Sequence, residues 1–419
     1  MAERRLLADL TPLRVSPDYR RLTIGTALSG IGSTMATFAV ALQVYVITGS
    51  SAAVGGVGLA VALPALIAGP FAGSLIDAVD RRRLVLVTTS ALTGASALFA
   101  VQAYLGNTHV WVLYGLVAVQ STLGSVNGPA RRTFMPRLLP KDQIPAAAAL
   151  SMMTMHTAML GGPLLAGLVI PLGGVKVCYV VDAATFLAAL YGVARLPAMP
   201  PEGATARPGL AAAVAGLRFV TRSRVLTGVL LADVSATVFA MPVALFPALN
   251  AERFHGSPRT LGLLGAGLAI GGVVGTVFSG PLGRVQRQGL GVLVAGAAWG
   301  AALTGFALVH TLWATMAFLV LAGIADVISV VLRTTIVQVA TPDSYRGRVN
   351  AVEMMVGANV PQLGNFRAGL VASAFSPAAS AGVGGVMAVI GATAIGIGMP
   401  AVAHYRADDE VSEAQPARR

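Results

Sequence analysis

The sequence predicts an all-α membrane protein with twelve transmembrane helices. Hydrophobic residues make up 55% of the 419 residues and charged residues only 11%. A soluble protein has about 25% charged residues, so this chain has too few to cover a water-exposed surface. The apolar residues fall in stretches of roughly 20, the length that crosses the hydrocarbon core of a bilayer.

Twelve apolar stretches are separated by short polar breaks. The predicted spans are 20–47, 53–76, 84–105, 109–128, 144–170, 177–195, 225–249, 259–283, 289–309, 312–335, 347–371 and 381–403. The longest break begins with Leu196-Pro-Ala-Met-Pro-Pro-Glu-Gly, a segment that cannot continue a helix. We therefore expect a leader (1–21), an N-terminal six-helix bundle (22–195), a linker (196–224), a C-terminal six-helix bundle (225–403) and a tail (404–419).

Basic residues concentrate in alternate breaks. If the termini are cytoplasmic, the cytoplasmic breaks hold nearly all Lys and Arg, among them Arg333, and the opposite side holds only Lys176, Arg253 and Arg259. The positive-inside rule therefore places both termini in the cytoplasm, and we expect the membrane to be a bacterial inner membrane. Since no aromatic residues interleave with these clusters, the net charge of +12 does not indicate nucleic-acid binding.

Two residue patterns repeat at matching places of the two halves, both at an offset of 202 residues. Arg131 and Pro140 recur as Arg333 and Pro342. The second pattern pairs Gly162, Ala166, Gly167, Leu168 and Val169 with Gly364, Ala368, Gly369, Leu370 and Val371. Parallel repeats of this kind predict two pseudo-symmetric bundles, with a binding site between them near the midplane of the membrane.

The break after the second span has a distinctive composition. It reads Gly73-Ser-Leu-Ile-Asp77-Ala-Val-Asp80-Arg81-Arg82-Arg83. Gly73 permits close helix packing, Asp77 can cap a helix or pair with an arginine, and the arginines suit the headgroup zone. An ordinary basic turn explains the residues equally well.

This pattern resembles the short-loop signature of the major facilitator superfamily, Gly-x-Leu-x-Asp followed by basic residues. Ala78 stands where that family usually has an arginine, and Asp80 where it often has a glycine. The resemblance implies the major facilitator fold. It also implies a conformational latch, broken and remade during transport, formed by Gly73, Asp77, Arg81 and Arg82.

Other short motifs follow in the order and spacing of one family within that superfamily. They are Leu42-Gln43-Val-Tyr45, Gly128-Pro129-Ala-Arg131-Arg132, Gly216-Leu-Arg218-Phe219, Phe246-Pro247-Ala-Leu249, Leu332-Arg333-Thr, Thr341-Pro342-Asp343 and Arg346-Gly347-Arg348. They are similar to the bacterial family of enterobactin exporters and drug:proton antiporters. The resemblance implies a monomeric carrier that needs no cofactor, uses the proton gradient as its energy source, and has a small-molecule substrate, protons and lipids as partners.

The fifth span contains Gly162, Pro163 and Gly167. These residues resemble part of the Gly-Pro motif that antiporters of the superfamily carry in this helix, with Ala158 in place of an upstream glycine. A proline bends a helix and glycines permit close packing. The residues alone are equally compatible with an ordinary kink.

Ionisable residues inside spans cost roughly 2.5–3.5 kcal/mol each at the helix centre. The candidates are Asp182, Asp233, Asp326, Glu353 and Arg367. In the superfamily, spans one, four, seven and ten line the central cavity, so the resemblance makes Asp326 and Asp233 the proton-coupling candidates. A salt bridge or a packing hydrogen bond is the alternative for both, and Arg367 is a possible partner. We expect Glu353, near the cytoplasmic surface, to pair with Arg346 or Arg348.

Polar side chains along three spans are candidates for the substrate cavity, and the alternative for each is a bond between helices. They are Ser33, Thr37, Gln43, Gln120, Asn127, Asn359, Gln362 and Arg367. The implied pocket is mostly apolar. It therefore favours bulky amphiphilic or aromatic molecules over sugars and amino acids, which need many convergent hydrogen bonds.

Rival classes lack their required motifs. An ATP-driven pump needs a Gly-x-x-x-x-Gly-Lys-Ser/Thr loop, and the chain has no Gly-Lys pair. The single cysteine, Cys178, excludes an internal disulfide, and the absence of a Cys/His cluster argues against a metal site or an enzyme. We expect a secondary active transporter that exports a small amphiphilic molecule, siderophore or drug-like, by alternating access. A facilitator, importer or lipid flippase on the same scaffold remains open, as does, more distantly, a receptor or channel of unrelated fold.

Overall fold

The computed structural model describes residues 9–200 and 210–406, and within these ranges the chain is helical without strands. The first eight helices are α1 (Thr11–Val15), α2 (Pro17–Thr48), α3 (Ser51–Ala78), α4 (Arg81–Tyr104), α5 (Val110–Arg132), α6 (Met135–Leu138), α7 (Ile144–Gly173) and α8 (Val175–Ala194). The remaining helices are α9 (Leu210–Arg222), α10 (Arg224–Ala240), α11 (Phe246–Arg253), α12 (Pro258–Val277), α13 (Gln288–Leu308), α14 (Leu312–Val339), α15 (Asp343–Ala374), α16 (Pro377–Gly398) and α17 (Pro400–Ala403).

Eleven helical segments of the described chain are long and apolar enough to cross a membrane. The predicted eleventh span corresponds to α15, which is not among them although it has 32 residues. Its polarity explains this, because α15 contains Asp343, two arginines, Glu353 and Arg367. The all-α membrane fold is confirmed.

The described residues divide into two compact units. Unit 1 comprises 9–47 and 63–200, and unit 2 comprises 48–62 and 210–406. The predicted N-terminal bundle (22–195) includes 48–62, whereas in the structure this segment packs within unit 2. Small residues explain the packing: a Cβ on Gly55 would lie 2.8 Å from the Asn365 carbonyl oxygen of α15, and the Ala52 amide donates to Ser373 Oγ at 2.8 Å.

Unit 1 is built on close crossings between α8 and its neighbours α2, α4 and α7. Gly25 of α2 faces the backbone of Ala189, where an added Cβ would lie 2.9 Å from the Cα atom. In the same crossing, Gly192 of α8 faces the backbone of α2, since a Cβ on Gly192 would lie 2.9 Å from the Arg21 carbonyl oxygen. Small residues let helix backbones approach closely in membranes, where packing replaces the hydrophobic effect as the main attraction between helices.

The core of unit 2 centres on α13, which packs against α14 and α16, while α12 packs against the other side of α14. The α12–α14 crossing pairs two glycines: a Cβ on Gly271 would lie 2.9 Å from Gly323 Cα, and a Cβ on Gly323 would lie 3.0 Å from Gly271 Cα. Trp299 and Phe306 of α13 are buried. This unit holds α10, α14 and α15 in contact, and these three helices carry most of the ionisable residues predicted inside spans.

The residue repeat at offset 202 is also a packing repeat. In unit 1, a Cβ on Gly162 of α7 would lie 2.9 Å from the Met35 amide nitrogen of α2. In unit 2, a Cβ on the matching Gly364 of α15 would lie 3.0 Å from the carbonyl carbon of Thr237 on α10. Met35 and Thr237 are themselves 202 residues apart. In each unit, a glycine at the same repeat position thus allows two helices to pack closely. These helices are α7 and α2 in unit 1, and α15 and α10 in unit 2.

A pair of adjacent glycines tests this packing. We expect Gly162→Ala to destabilise the protein by ~1–3 kcal/mol, the usual cost of overpacking, because the new methyl group meets the α2 backbone. Gly161→Ala is the matched control, since its Cβ would lie 4.0 Å from the Ile31 side chain. Thermal unfolding in detergent measures both, and equal stability of the two variants would contradict the close crossing.

Two features of the chain differ from the predicted span pattern. The predicted seventh span, 225–249, is interrupted: α10 ends at Ala240, Val243–Leu245 form a 3₁₀ turn, and α11 follows. Pro242 and Pro247 lack the amide hydrogens that a continuous helix needs. The predicted linker contains α9, which packs on α15 through a stacked pair of rings, Phe219 and Tyr345, with centroids 4.6 Å apart.

Candidate functional site

Three helices of unit 2 bring an ion-pair network together. Asp233 lies on α10, Asp326 and Arg333 on α14, and Glu353 on α15. The Arg333 guanidinium is buried and forms ion pairs with Asp233 and, through Nε, with Oε1 of Glu353 at 3.6 Å. Thr334 Oγ1 also donates to Oε1 of Glu353, at 3.1 Å. The structure thus joins Asp233 to an arginine that the sequence analysis had counted among the cytoplasmic charges.

Arg333 is the residue of this network that sequence reasoning missed. Its side chain is only 5% exposed because α14 continues to Val339, more than a turn past the predicted end of the tenth span. The expected partners of Glu353 are engaged elsewhere: Arg346 pairs with Asp343 at 2.7 Å, and the Arg348 guanidinium lies over the Tyr345 ring at 5.3 Å. The expected pairing of Glu353 is therefore corrected to Arg333.

Asp326 is the acid of this group that Arg333 does not pair with. It lies seven residues before Arg333, hence about two turns away on the same face of α14, and it interacts electrostatically with both Asp233 and Arg333. Its carboxyl group has neither a hydrogen bond nor an ion pair in the described part of the chain. Arg333 therefore pairs with two carboxyl groups, and Asp326 lies outside both ion pairs, where its ionised form would add a further negative charge.

Arg367 does not pair with either aspartate. Its Nη2 group donates to the carbonyl oxygen of Phe239, at the end of α10. A cation at the C-terminal end of a helix complements the unsatisfied carbonyl groups and the partial negative charge there. Arg367 thus stabilises the break in the seventh predicted span.

Two of the residues of unit 1 that were predicted to line the substrate cavity form hydrogen bonds between helices. Gln43 is buried, exchanges amide hydrogen bonds with Gln102 at 3.0 and 3.1 Å, and accepts a hydrogen bond from the Tyr179 hydroxyl at 2.8 Å. Asn127 is buried and donates to Thr89 Oγ1 at 2.9 Å. Both amide atoms of Gln43 and the Asn127 Nδ2 group thus form hydrogen bonds between helices.

Three further candidates of unit 1 have accessible side chains. Thr37 is exposed, and its hydroxyl donates to the Ser33 carbonyl oxygen at 2.8 Å. Ser33 and Gln120 are half-buried, and Gln120 Nε2 donates to Ser96 Oγ at 3.1 Å. These residues stay candidates for substrate contact.

The candidates on α15 are partly engaged within unit 2. Asn359 is buried and donates to the Met355 carbonyl oxygen of its own helix at 2.9 Å. Gln362 is half-buried, and its Oε1 accepts a hydrogen bond from Asn365 at 3.4 Å. Gln362 therefore remains the more accessible of the two candidates.

An open apolar depression of about 550 Å³ lies on unit 1. Its lining residues belong to α3 and α5 and are Ala68, Phe71, Ala72, Leu75, Ala78 and Val126. None of these side chains is charged.

The predicted latch residues lie at the turn between α3 and α4. Asp77 and Arg81 approach to 4.0 Å, and Arg82 Nη2 donates to the Ala194 carbonyl oxygen at 2.7 Å. Gly73 is half-buried on α3. Asp80, which departs from the family pattern, caps α4 by accepting a hydrogen bond from the Arg83 amide at 2.8 Å.

Asp80 also binds the segment that leaves α8, since its Oδ2 accepts a hydrogen bond from the Met199 amide at 2.9 Å. We expect Asp80→Ala to destabilise the protein by ~0.5–2 kcal/mol, the cost of losing a helix cap. Asp77→Asn is the matched change at an exposed pair, where the median contribution is ~0–1 kcal/mol. Thermal unfolding of the two variants checks this order. A larger loss in Asp77→Asn would contradict the role assigned to Asp80.

The residues of the predicted antiporter-type kink are buried in α7. Gly162, Pro163 and Gly167 all lie inside the helix Ile144–Gly173, which continues through Pro163. Gly162 of α7 and Met35 of α2 form the helix crossing described above.

No cluster of three or more His, Cys, Asp or Glu residues that would hold a metal ion occurs in the described ranges.

Solved structures with a similar fold are transporters. The structure superposes on the nucleoside transporter NupG with a TM-score of 0.72 at 13% identity, covering 93% of this chain and 100% of that one. It also superposes on a bacterial homologue of the human lysosomal transporter Spinster, in an inward-facing and unoccupied conformation, with a TM-score of 0.70 at 16% identity, covering 97% and 99%. At these identities the likeness concerns the fold alone.

Curated relatives and a family profile are more specific. The chain is 27% identical over 387 residues to the enterobactin exporter EntS of Citrobacter koseri, and 26% identical over 388 residues to that of Shigella dysenteriae serotype 1. Both alignments cover 92% of each protein. The profile of the family described as transmembrane secretion effector matches residues 7–417. The protein is therefore a multi-pass transporter of the bacterial inner membrane rather than an enzyme, and it belongs to the transmembrane secretion effector family of the major facilitator superfamily.

Proposed function

We propose that the protein exports a small amphiphilic molecule in exchange for protons, by alternating access, and that a siderophore is the first substrate to test. One observation carries the proton coupling. Two carboxyl groups of unit 2, those of Asp233 and Glu353, share the Arg333 guanidinium, and a third acid, Asp326, lies on the same helix outside these ion pairs.

The chemistry follows from the charge balance. Arg333 compensates Asp233 and Glu353 only in part, so an ionised Asp326 adds an uncompensated charge at a site where charge is expensive. Proton uptake forms an O–H bond on the Asp326 carboxylate and removes that charge, whereas release restores its repulsion from Asp233. A proton that changes the electrostatic energy in this way biases the equilibrium between two conformations of the carrier.

Support for the substrate comes from the relatives, because the curated ones are named enterobactin exporters. The predicted latch (Gly73, Asp77, Arg81 and Arg82) and the predicted kink (Gly162, Pro163 and Gly167) belong to the same proposal as moving parts. The proposal also includes cytoplasmic termini and a monomeric carrier.

Transport in everted membrane vesicles tests this function. With an imposed pH gradient, acidic inside, we expect vesicles containing the protein to accumulate enterobactin above the level of vesicles without it. Collapse of the gradient by a protonophore abolishes the accumulation. Uptake that ignores the gradient would reject proton-coupled export in favour of a facilitator.

An importer or a lipid flippase gives a different result in parallel assays. An importer accumulates enterobactin in right-side-out vesicles energised in the physiological direction. A lipid flippase moves a fluorescent phospholipid between leaflets of proteoliposomes while enterobactin stays outside. Either result would overturn the export proposal.

A further inference from the structure

Unit 1 contains a second intramembrane acid, Asp182 on α8, that the coupling site described above does not use. Its side chain is completely buried, with 0% exposure. The Ser96 hydroxyl of α4 donates to Asp182 Oδ2 at 2.6 Å, and Gln120 Nε2 of α5 donates to Ser96 Oγ at 3.1 Å. Asp182 Oδ1 is buried without a hydrogen-bond partner.

No cation compensates Asp182 in the described part of the chain. On α4, the nearest charged residues are the arginines of its first turn, fifteen to thirteen residues before Ser96, and on α2 Asp182 faces Gly32. The other titratable groups on the helices packed around it form neither an ion pair nor a hydrogen bond with Asp182 in the described ranges. They are His156 on α7, Tyr104 on α4, Tyr45 and the charged first turn of α2, and Cys178, Tyr179, Lys176 and Tyr191 on α8 itself. Tyr179 is the one that interacts electrostatically with Asp182, and its hydroxyl donates to Gln43.

The number of hydrogen bonds that Asp182 accepts favours a neutral carboxyl group. An ionised carboxylate presents about four acceptor positions, and Asp182 receives one donor. A buried charge without a counter-ion or a full set of donors costs far more than the neutral acid, which instead binds a proton. In unit 2 an arginine compensates part of the negative charge of Asp233 and Glu353, whereas a proton has to serve this purpose for Asp182.

We propose that Asp182, with Ser96 and Gln120, forms a second proton-binding site, distinct from the cluster around Arg333. The proton adds to the unpartnered Oδ1 as an O–H bond and neutralises the carboxylate. Both hydrogen bonds of the chain point towards Asp182, and the chain begins at Gln120, which is half-buried. Oδ2 is therefore occupied by the Ser96 donor, and Oδ1 is the oxygen left to carry the proton.

Gly32 couples this site to the position of α2. A Cβ on Gly32 would lie 3.1 Å from Asp182 Oδ1 and 3.1 Å from Asp182 Cα, so α2 covers the unpartnered oxygen and leaves no room for water. Asp182 is therefore protonated when α2 packs closely on α8. Movement of α2 away from α8 admits water and permits ionisation, which links proton release from Asp182 to a change within unit 1.

Infrared spectroscopy on the full-length protein in lipid tests the site without any transport assay. The carbonyl stretch of a protonated carboxylic acid in an apolar environment is resolved from the carboxylate and amide bands. At neutral pH we expect Asp182→Asn to lose a component of this band that the wild type and Asp326→Asn both show, and Ser96→Ala to shift the frequency of that component, because the Ser96 hydrogen bond weakens the carbonyl. Asp142→Asn, the same change at an exposed acid of unit 1, leaves the band unchanged.

A spectrum of folded Asp182→Asn that is identical to the wild type would overturn the proposal. If Asp182→Asn does not fold, Ser96→Ala decides alone, and an unshifted band contradicts a protonated Asp182. Because no substrate or gradient enters this measurement, its outcome is independent of whether enterobactin is exported. Failure of the export assays with the band present leaves the proton site standing.

Discussion

Replacing Asp326 with Asn is expected to reduce proton-driven export to the background of empty vesicles while the protein still reaches the membrane in normal amounts. The amide has nearly the shape of a protonated carboxyl group but cannot release a proton. The side chain is half-buried and makes no described hydrogen bond or ion pair, so its replacement removes a titration and little packing. Accumulation in everted vesicles and immunodetection of the membrane fraction measure the two effects.

Asp343→Asn is the matched control for this variant. It makes the same substitution on an acid whose side chain is 88% exposed and pairs with Arg346 at the surface. We expect its export to equal that of the wild type. Gradient-driven accumulation by Asp326→Asn at the wild-type level would remove Asp326 from the mechanism.

The second large effect is on stability. We expect Arg333→Leu to lower the free energy of unfolding by ~3–5 kcal/mol, the cost of removing one partner from a buried ion pair. Asp233 and Glu353 would then be left as acids without a counter-ion; their side chains are only 9% and 13% exposed. Thermal or denaturant unfolding in detergent measures the loss.

A double-mutant cycle separates the ion pair from other effects of losing the arginine. We expect the double variant Arg333→Leu, Asp233→Leu to lose less unfolding free energy than the two single variants lose together. Either substitution alone already removes the ion pair, so its loss is not counted twice. Arg346→Leu is the control, since it removes an arginine from an exposed pair worth ~0–1 kcal/mol. Arg333→Leu with a stability within about 1 kcal/mol of the wild type would show that this ion pair does not hold the three helices together.

Hydropathy and residue repeats were sufficient to predict the helical class and the related packing of the two units. The matching roles of Gly162 and Gly364 follow directly from the repeat, since small residues mark close crossings. The interruption after Ala240 was missed although Pro242 and Pro247 signal it, because the apolar character of the stretch continues through both prolines. Segment 48–62 packs with unit 2 through contacts distant in sequence, which hydropathy does not encode.

The candidate site shows the same division between local and tertiary information. The cost of charge inside a span identifies Asp233 and Asp326 from the sequence, but which of them is paired depends on how α10, α14 and α15 pack. Arg333 near a helix end is indistinguishable from a cytoplasmic arginine until the helix is seen to run on to Val339. Gln43 was a plausible cavity residue until Gln102 and Tyr179 were found to occupy its amide.

Proton movement during transport is the most direct test of a membrane-embedded carboxyl group that couples protons to export. Purified protein is reconstituted into proteoliposomes that contain a pH-sensitive dye, and enterobactin is added outside without an imposed gradient. We predict that enterobactin uptake alkalinises the lumen, because protons leave in exchange, and that Asp326→Asn moves no protons. Enterobactin uptake through the wild-type protein at constant lumenal pH would contradict proton coupling.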